Sequence, residues 1–319
     1  MITVLCGGVG AARLLRAMSG VVDAKSTTGI VNTGDDTVLH GLNISPDIDT
    51  VVYTLSGAID PERGWGLRDE SWRAMGALQR YADVRPPGST AAPTWFNLGD
   101  LDLATHFYRT ARLAEGASLT DVTAEVAAAW GVRQRLLPMS DEPVSTRVRL
   151  AESGAEISFQ EYFVERRHNV AVSAVRFAGV ATARLSPSAA EAIASAEVVI
   201  IAPSNPLVSI APIRALSGTD ALLAARRESV VAVSPIVCGA ALKGPADRML
   251  AELGYEPTVV GVARLYAPIA RALVIDPVDA HLAGAVQAAG IEAIVTPSVM
   301  STPQIGENLV RCTLAAARS

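Results

Sequence analysis

Short apolar runs, each closed by a Gly, Pro or Asn turn signal, recur along the chain and set its predicted elements. Ile2-Thr3-Val4-Leu5-Cys6 reads as a strand, followed by Gly7-Gly8-Val9-Gly10 and a helical pattern through Met18. Strand, glycine turn and helix form the opening unit of a doubly wound fold. A second strand, Gly29 to Val31, runs into Asn32-Thr33-Gly34-Asp35-Asp36. Thr50 to Leu55 suits either a helix or a strand. From about Asp69 to Trp130 the period is helical, with Trp72, Met75 and Leu78 in steps of three and Val122, Val126, Ala129 and Trp130 on one face. Ser118-Leu119-Thr120-Asp121 resembles a capping box. Asp102 is placed to cap another helix, with Leu103 and Phe107 on one face and His106 and Arg109 on a different one.

The period then changes. Thr146 to Leu150 and Ile157 to Phe163 alternate like the arms of a hairpin around Ser153-Gly154, inside a β-rich patch from Arg135 to Phe177. Pro138 to Thr146 is a polar, Pro-bounded loop able to reach a ligand, and Arg85 to Thr90 is a loop, either a lid or a surface crossing. Alternation of helix and strand returns at Ser186-Pro187, an N-cap and N1 pair. Val198 to Ala202 and Val230 to Val233 are continuous apolar runs, typical of parallel strands buried on both faces. They end in Pro203-Ser204-Asn205-Pro206 and Ser234-Pro235. Strands at Ala272 to Ile275 and Ala293 to Val295 and a helix from about Pro303 to Ala317 close the pattern. The expected architecture is α/β: a doubly wound, mostly parallel Rossmann-like sheet with an inserted helical subdomain and a small β-rich patch. Residues 1–66 and 178–319 would form the core, and 67–177 the insertion contributing to an acceptor site.

Composition narrows the class. The chain has 319 residues, half of them hydrophobic and 18% charged, as in a compact enzyme rather than a disordered one. A net charge of −5 without a Lys/Arg block leaves no electrostatic footprint for nucleic acid. Cys6, Cys238 and Cys312 are too few and scattered for a disulfide framework or zinc site. The first strand starts at once, with no basic leader segment, and no run of roughly 18 apolar residues is present to span a membrane. The expected location is the cytoplasm.

The chemistry centres on Val31 to Asp49, where Asp35, Asp36, Asp47 and Asp49 occur with no Lys or Arg between them. Such acids repel unless a cation sits among them. Oxygen-only ligands suit Mg²⁺, and a solvated, turn-rich loop is the plainer reading. Gly7, Gly8 and Gly10 open an anion-binding turn at a helix N-terminus, although Arg13 replaces the last glycine of the dinucleotide fingerprint. Ser204, Asn205 and Ser234 lie where open α/β sheets bind ligands, at strand carboxyl ends. The loop Gly57 to Gly66, with Arg63 and Trp65, is either a substrate-contacting loop or a surface turn. His106 is either a structural histidine or, with Arg109, part of an active site.

Taken in order, Gly7 to Gly10, Val31 to Asp36, Ile44 to Thr50, Ile59 to Gly66, Leu98-Gly99-Asp100, Leu103 to His106, Phe159-Gln160-Glu161, Pro203 to Pro206 and Ser234-Pro235-Ile236 resemble the 2-phospho-L-lactate transferase family, whose actinobacterial members are phosphoenolpyruvate transferases of coenzyme F-420 biosynthesis. The resemblance covers nearly the whole chain. It implies transfer of a phospho-three-carbon-acid group from a guanosine-diphosphate-activated donor to the ribityl hydroxyl of the deazaflavin Fo, with release of GMP. It implies Mg²⁺ on Asp35 and Asp49, with Asp36 or Asp47 orienting or deprotonating the hydroxyl. Asp49 and Asn97 would contact Fo. The Gly7 to Gly10 turn, Ser204, Asn205 and Ser234 would hold the guanosine diphosphate half, Arg63 and His106 a phosphate or carboxylate, and Asn32 and Thr33 are expected among the substrate-binding residues. A homodimer is expected on the same ground. Two other classes remain: a non-catalytic nucleotide-sugar-binding regulatory protein of related fold, and an NAD-dependent dehydrogenase.

Overall fold

The computed structural model describes residues 1–89 and 91–318. Its main sheet has seven strands: β1 (Ile2–Cys6), β2 (Thr27–Val31), β3 (Arg135–Pro138), β4 (Val198–Ile201), β5 (Val230–Val233), β6 (Ala272–Ile275) and β7 (Glu292–Val295). Their spatial order is β7-β6-β5-β4-β1-β2-β3, and every pairing is parallel. This is the doubly wound Rossmann-like order with one further edge strand, and the order reverses between β1 and β4. The continuous apolar runs explain the layering. Val4, Val198 and Ile200 point into one core, while Leu5, Val199 and Ile201 point into the other. Both faces are thus dry, which alternating polar positions could not achieve.

Helix α1 (Gly8–Met18) and the terminal helix Pro303–Ala316 pack on the first face, where Leu14, Leu15, Leu309 and Val310 are fully buried. Thr50 to Leu55 is helical, within α2 (Pro46–Ser56), and Gly57 closes that helix in the left-handed conformation (φ 76°). The helical block comprises α3 (Arg73–Ala82), α4 (Asp102–Ala114) and α5 (Leu119–Ala129). The N-cap half of the expected capping box is present, with Ser118 Oγ accepting from Asp121 N at 3.0 Å, while the Asp121 carboxylate takes the Ser118 hydroxyl (2.7 Å). No single helix among the described residues is long and apolar enough to cross a membrane.

In four places the structure departs from the sequence reading or adds to it. The strand at Ile157 ends at Ser158, because Ser158 Oγ accepts from Glu161 N (3.1 Å) and turns Glu161–Glu165 into a helical coil that buries Tyr162. On α4, Phe107 is exposed while His106 and Arg109 are buried, which gives the two expected faces their orientation: the polar one looks inward. Asp102 lies in the first turn of α4 rather than capping it, and its carboxylate takes the Tyr53 hydroxyl (2.6 Å). One strand of the segment 67–177, β3, joins the main sheet beside β2. The patch itself is a three-stranded antiparallel sheet with Ser145–Leu150 at its centre. Thr90, the end of the expected 85–90 loop, lies outside the described residues.

Candidate active site

The acidic stretch owes its shape to Asn32 at the end of β2. Its amide donates to Asp35 (3.2 Å) and Asp47 (3.0 Å), and its carbonyl accepts from Gly34 N (2.9 Å). Asp47 and Asp49 occupy the first turn of α2, where the helix dipole favours negative charge. Asp36 takes the Ser45 hydroxyl on one oxygen (2.7 Å), while its other oxygen is buried without a partner. Gln160 donates to the Asp35 carbonyl at 2.9 Å and ties the β-rich patch to the cluster.

The expectation that no base neutralises these acids needs correction. Arg109, only 1% exposed, reaches across from α4 and grips both Asp49 oxygens, through Nη2 and through Nη1 at 3.1 Å. The base is distant in sequence, which is why a local reading missed it. His106 stands between two acids, with Nε2 3.2 Å from Asp102 and Nδ1 3.7 Å from Asp49. Tyr53 completes the row by donating to Asp102 and lying 2.8 Å from Thr105 Oγ1.

Burial dominates the charge states. Burial, then Asp47 and Asp36, push the Asp35 carboxyl well above the usual carboxylate range. Burial raises Asp47 to about 6, against the opposing bonds from Asn32 and the Gly8 N–H. Asp49 is also raised by burial, with Arg109 pulling it back. Asp102 falls below its ordinary value because bonds and charge from His106, Tyr53 and Arg109 outweigh its burial. The cluster around Asp35 therefore lacks positive charge, whereas the Asp49 row has its own.

The glycine turn is built for close approach. Gly8 has φ +58°, and a Cβ on Gly10 would lie 2.2 Å from the Pro203 carbonyl oxygen. We expect Gly10→Ala to lower stability by about 1–3 kcal/mol, since backbone faces the new methyl. Gly76→Ala, in open space within α3, should instead raise it by about 0.5–1 kcal/mol. Thermal unfolding of both variants checks the contrast; an unchanged Tm for Gly10→Ala would refute the tight contact. Ser204 fastens this turn to β4 by donating to the Gly7 carbonyl at 2.5 Å.

One cavity of about 800 Å³ at the β1/β4 reversal gathers Gly7, Gly8, Gly10, Asp35, Asp47, Asp49, Arg63, Asn97, His106, Ser204, Asn205 and Ser234. Asp36 and Thr33 line a smaller cavity of about 320 Å³, which Asp35, Ile44, Phe159 and Gln160 share with the larger one. The Asp141 to Thr146 stretch of the polar loop forms part of its wall. Asn32 lines neither cavity and acts from beneath. Several expected contacts are already engaged. Arg63 bonds Glu70 (3.1 Å) and Leu67 O (2.9 Å) and lies against the rings of both Trp65 and Trp72. Asn205 Oδ1 accepts from Leu207 N (2.9 Å), and Ser234 Oγ accepts from Ile236 N (3.1 Å). Not foreseen were the aromatic wall of Trp95, Phe96, Phe159 and Phe163, and the cations Arg13 and Lys243. The sequence marks the aromatics only as apolar positions, so only the fold reveals their shared wall.

Residues 2–295 match the family described as 2-phospho-L-lactate transferase CofD. The phosphoenolpyruvate transferase of Kitasatospora aureofaciens is 41% identical over 320 residues, covering 99% of this chain and 97% of its own. That of Streptomyces griseus is 42% identical over 303 residues (94% and 93%), and that of Mycolicibacterium smegmatis 37% over 329 (99% and 98%). A crystal structure of a UPF0052-family protein from Bacillus halodurans matches with a TM-score of 0.59 at 14% identity, covering 97% of this chain and 98% of that one. That likeness concerns the fold.

Proposed function

Since the chain belongs to the 2-phospho-L-lactate transferase (CofD) family and is a transferase of that kind, we propose that it moves a phospho-three-carbon-acid group from a guanosine-diphosphate-activated donor to the ribityl hydroxyl of Fo. GMP leaves, and the product belongs to coenzyme F-420 biosynthesis. Curated relatives named for phosphoenolpyruvate favour the enolpyruvyl group over 2-phospholactate. The observation that carries this reading is one cavity joining a glycine turn, a cation-poor carboxylate cluster and an aromatic wall.

The residues fit a bound Mg²⁺. Asp35 is buried beside Asp47 and Asp36 with no cationic side chain bonded to it, and carboxylate oxygens are the hard ligands that Mg²⁺ takes. Asp35 and Asp49 would hold the ion, Asp49 by sharing its oxygens with Arg109. Bound there, it would neutralise diphosphate oxygens and favour attack at phosphorus. The chain's own groups do the rest. Arg109 keeps Asp49 ionised and oriented, and Asn32 sets the angle between Asp35 and Asp47. Asp36 or Asp47 accepts a hydrogen bond from the attacking hydroxyl and takes its proton. Trp95, Phe96, Phe159 and Phe163 offer faces for a flat tricyclic ring. A homodimer in the cytoplasm belongs to the same reading.

Purified protein incubated with Fo, Mg²⁺ and the lactyl, enolpyruvyl or glyceryl donor in turn should release GMP in step with phosphodiester formation, fastest with enolpyruvyl. Chromatography with mass detection reads both products. No GMP with any donor would sink the proposal and leave the regulatory binding protein ahead.

A further inference from the structure

The large cavity is lined by three cationic side chains, Arg13, Arg63 and Lys243. Arg63 is committed to Asp60 and Glu70 and packed against two indoles. Lys243 has no hydrogen bond or ion pair among the described residues. It is exposed in the loop between the short strand Ala240–Ala241 and the helix Ala246–Glu252. Its ammonium lies over the backbone of Gly64, a residue with φ +74°, and a Cβ there would come within 2.7 Å of Nζ. The next residue, Gly244, would place a Cβ 3.7 Å from the Phe163 ring. Lys243 therefore stands where the Trp65 loop, the Phe163 turn and its own loop meet over one cavity. An uncommitted ammonium at the rim of a cavity is a ready partner for an anionic oxygen.

We propose that Lys243, seated across Gly64, is an anion-binding subsite for a substrate oxygen outside the reacting phosphate. This rests on the transfer reaction proposed above. That reaction brings two such groups: the carboxylate of the three-carbon acid and the acidic hydroxyl conjugated through the deazaflavin ring. Both offer a charged oxygen that the acidic floor of the cavity would repel. A lysine suits either, because its long stem carries a compact charge to an oxygen.

The test uses Lys243→Ala and Lys243→Arg in the full chain, with steady-state kinetics varying donor and acceptor separately. Lys243→Ala should raise the KM of one substrate about ten- to a hundredfold, the loss of one charged hydrogen bond, with kcat changed far less. Lys243→Arg should restore most of that loss. A rise confined to the donor identifies the acid carboxylate, and a rise confined to Fo identifies the ring oxygen. Gly64→Ala, which displaces the ammonium, should shift the same constant as Lys243→Ala. If neither KM moves beyond about twofold in a folded Lys243→Ala protein, the subsite does not exist. Should the wild type prove inactive with every donor, the transfer reading fails. Tryptophan quenching by Fo, GDP and the enolpyruvyl donor, each titrated separately, then still decides: unchanged affinities in Lys243→Ala overturn the subsite.

Discussion

Asp35→Asn is expected to lower turnover by at least 10²–10³-fold and to make the metal-free protein more stable, by on the order of 1–3 kcal/mol. Both effects have one cause. Asp35 is buried with Asp47 and Asp36 close by, so its charge is costly until a cation arrives. The amide keeps the shape and can still accept from Asn32, which bonds Oδ1 of Asp35. The pH dependence follows. Asp47 titrates at about 6 in the fold, against 3.8 ordinarily, and Asp35 is raised in the same direction. The folded state thus binds more protons than the unfolded chain between those values, so these groups make stability fall as pH rises from about 4 to 6. Asp35→Asn removes part of that slope, and saturating Mg²⁺ should remove most of it. Urea denaturation of wild type and variant across this window, paired with GMP release, checks both halves. A variant keeping more than about a tenth of the activity would take Asp35 out of the metal site.

The second large effect concerns stability. Arg109→Met should destabilise the protein by about 3–5 kcal/mol, since it strands the buried Asp49 carboxylate. Pairing it with Asp49→Asn should recover much of this loss, because the penalty lies in the uncompensated charge. Arg109→Lys should recover less, as one ammonium cannot span both Asp49 oxygens. A double-mutant cycle by chemical denaturation measures the coupling. A coupling below about 1 kcal/mol would mean that the pair is replaceable by solvent.

Much of the fold is legible because the signals are local. The apolar runs at Val198 and Val230 and the Ser186-Pro187 start each depend on a few neighbouring residues. Ala272 to Ile275 is found with both ends as expected. The failures are of another kind. Ile157 to Phe163 alternates like a strand, yet a single hydroxyl bond at Ser158 ends it. Which face of α4 turns inward is not legible from its period: Arg109 is drawn in by Asp49, sixty residues away, and so distant a partner leaves no periodic trace. What the sequence does not show of Asn32 is that its amide ties together Asp35 and Asp47, which lie on either side of the helix start. Lys243 has no motif of its own; it matters only because Gly64 passes beneath it.

The position of β1 between β2 and β4 sets a timetable for synthesis. β1 leaves the ribosome just ahead of β2 and gains it promptly, but its other neighbour ends at Ile201. At roughly 5–20 residues per second, the wait is on the order of 10–40 s. Throughout it, one edge of Val4 and Leu5 stays open to any passing strand, the form of exposure that chaperones cover. The cavity cannot begin to form earlier, since Gly10 closes against Pro203. A nascent chain released early would carry the whole acidic stretch and no pocket to hold it.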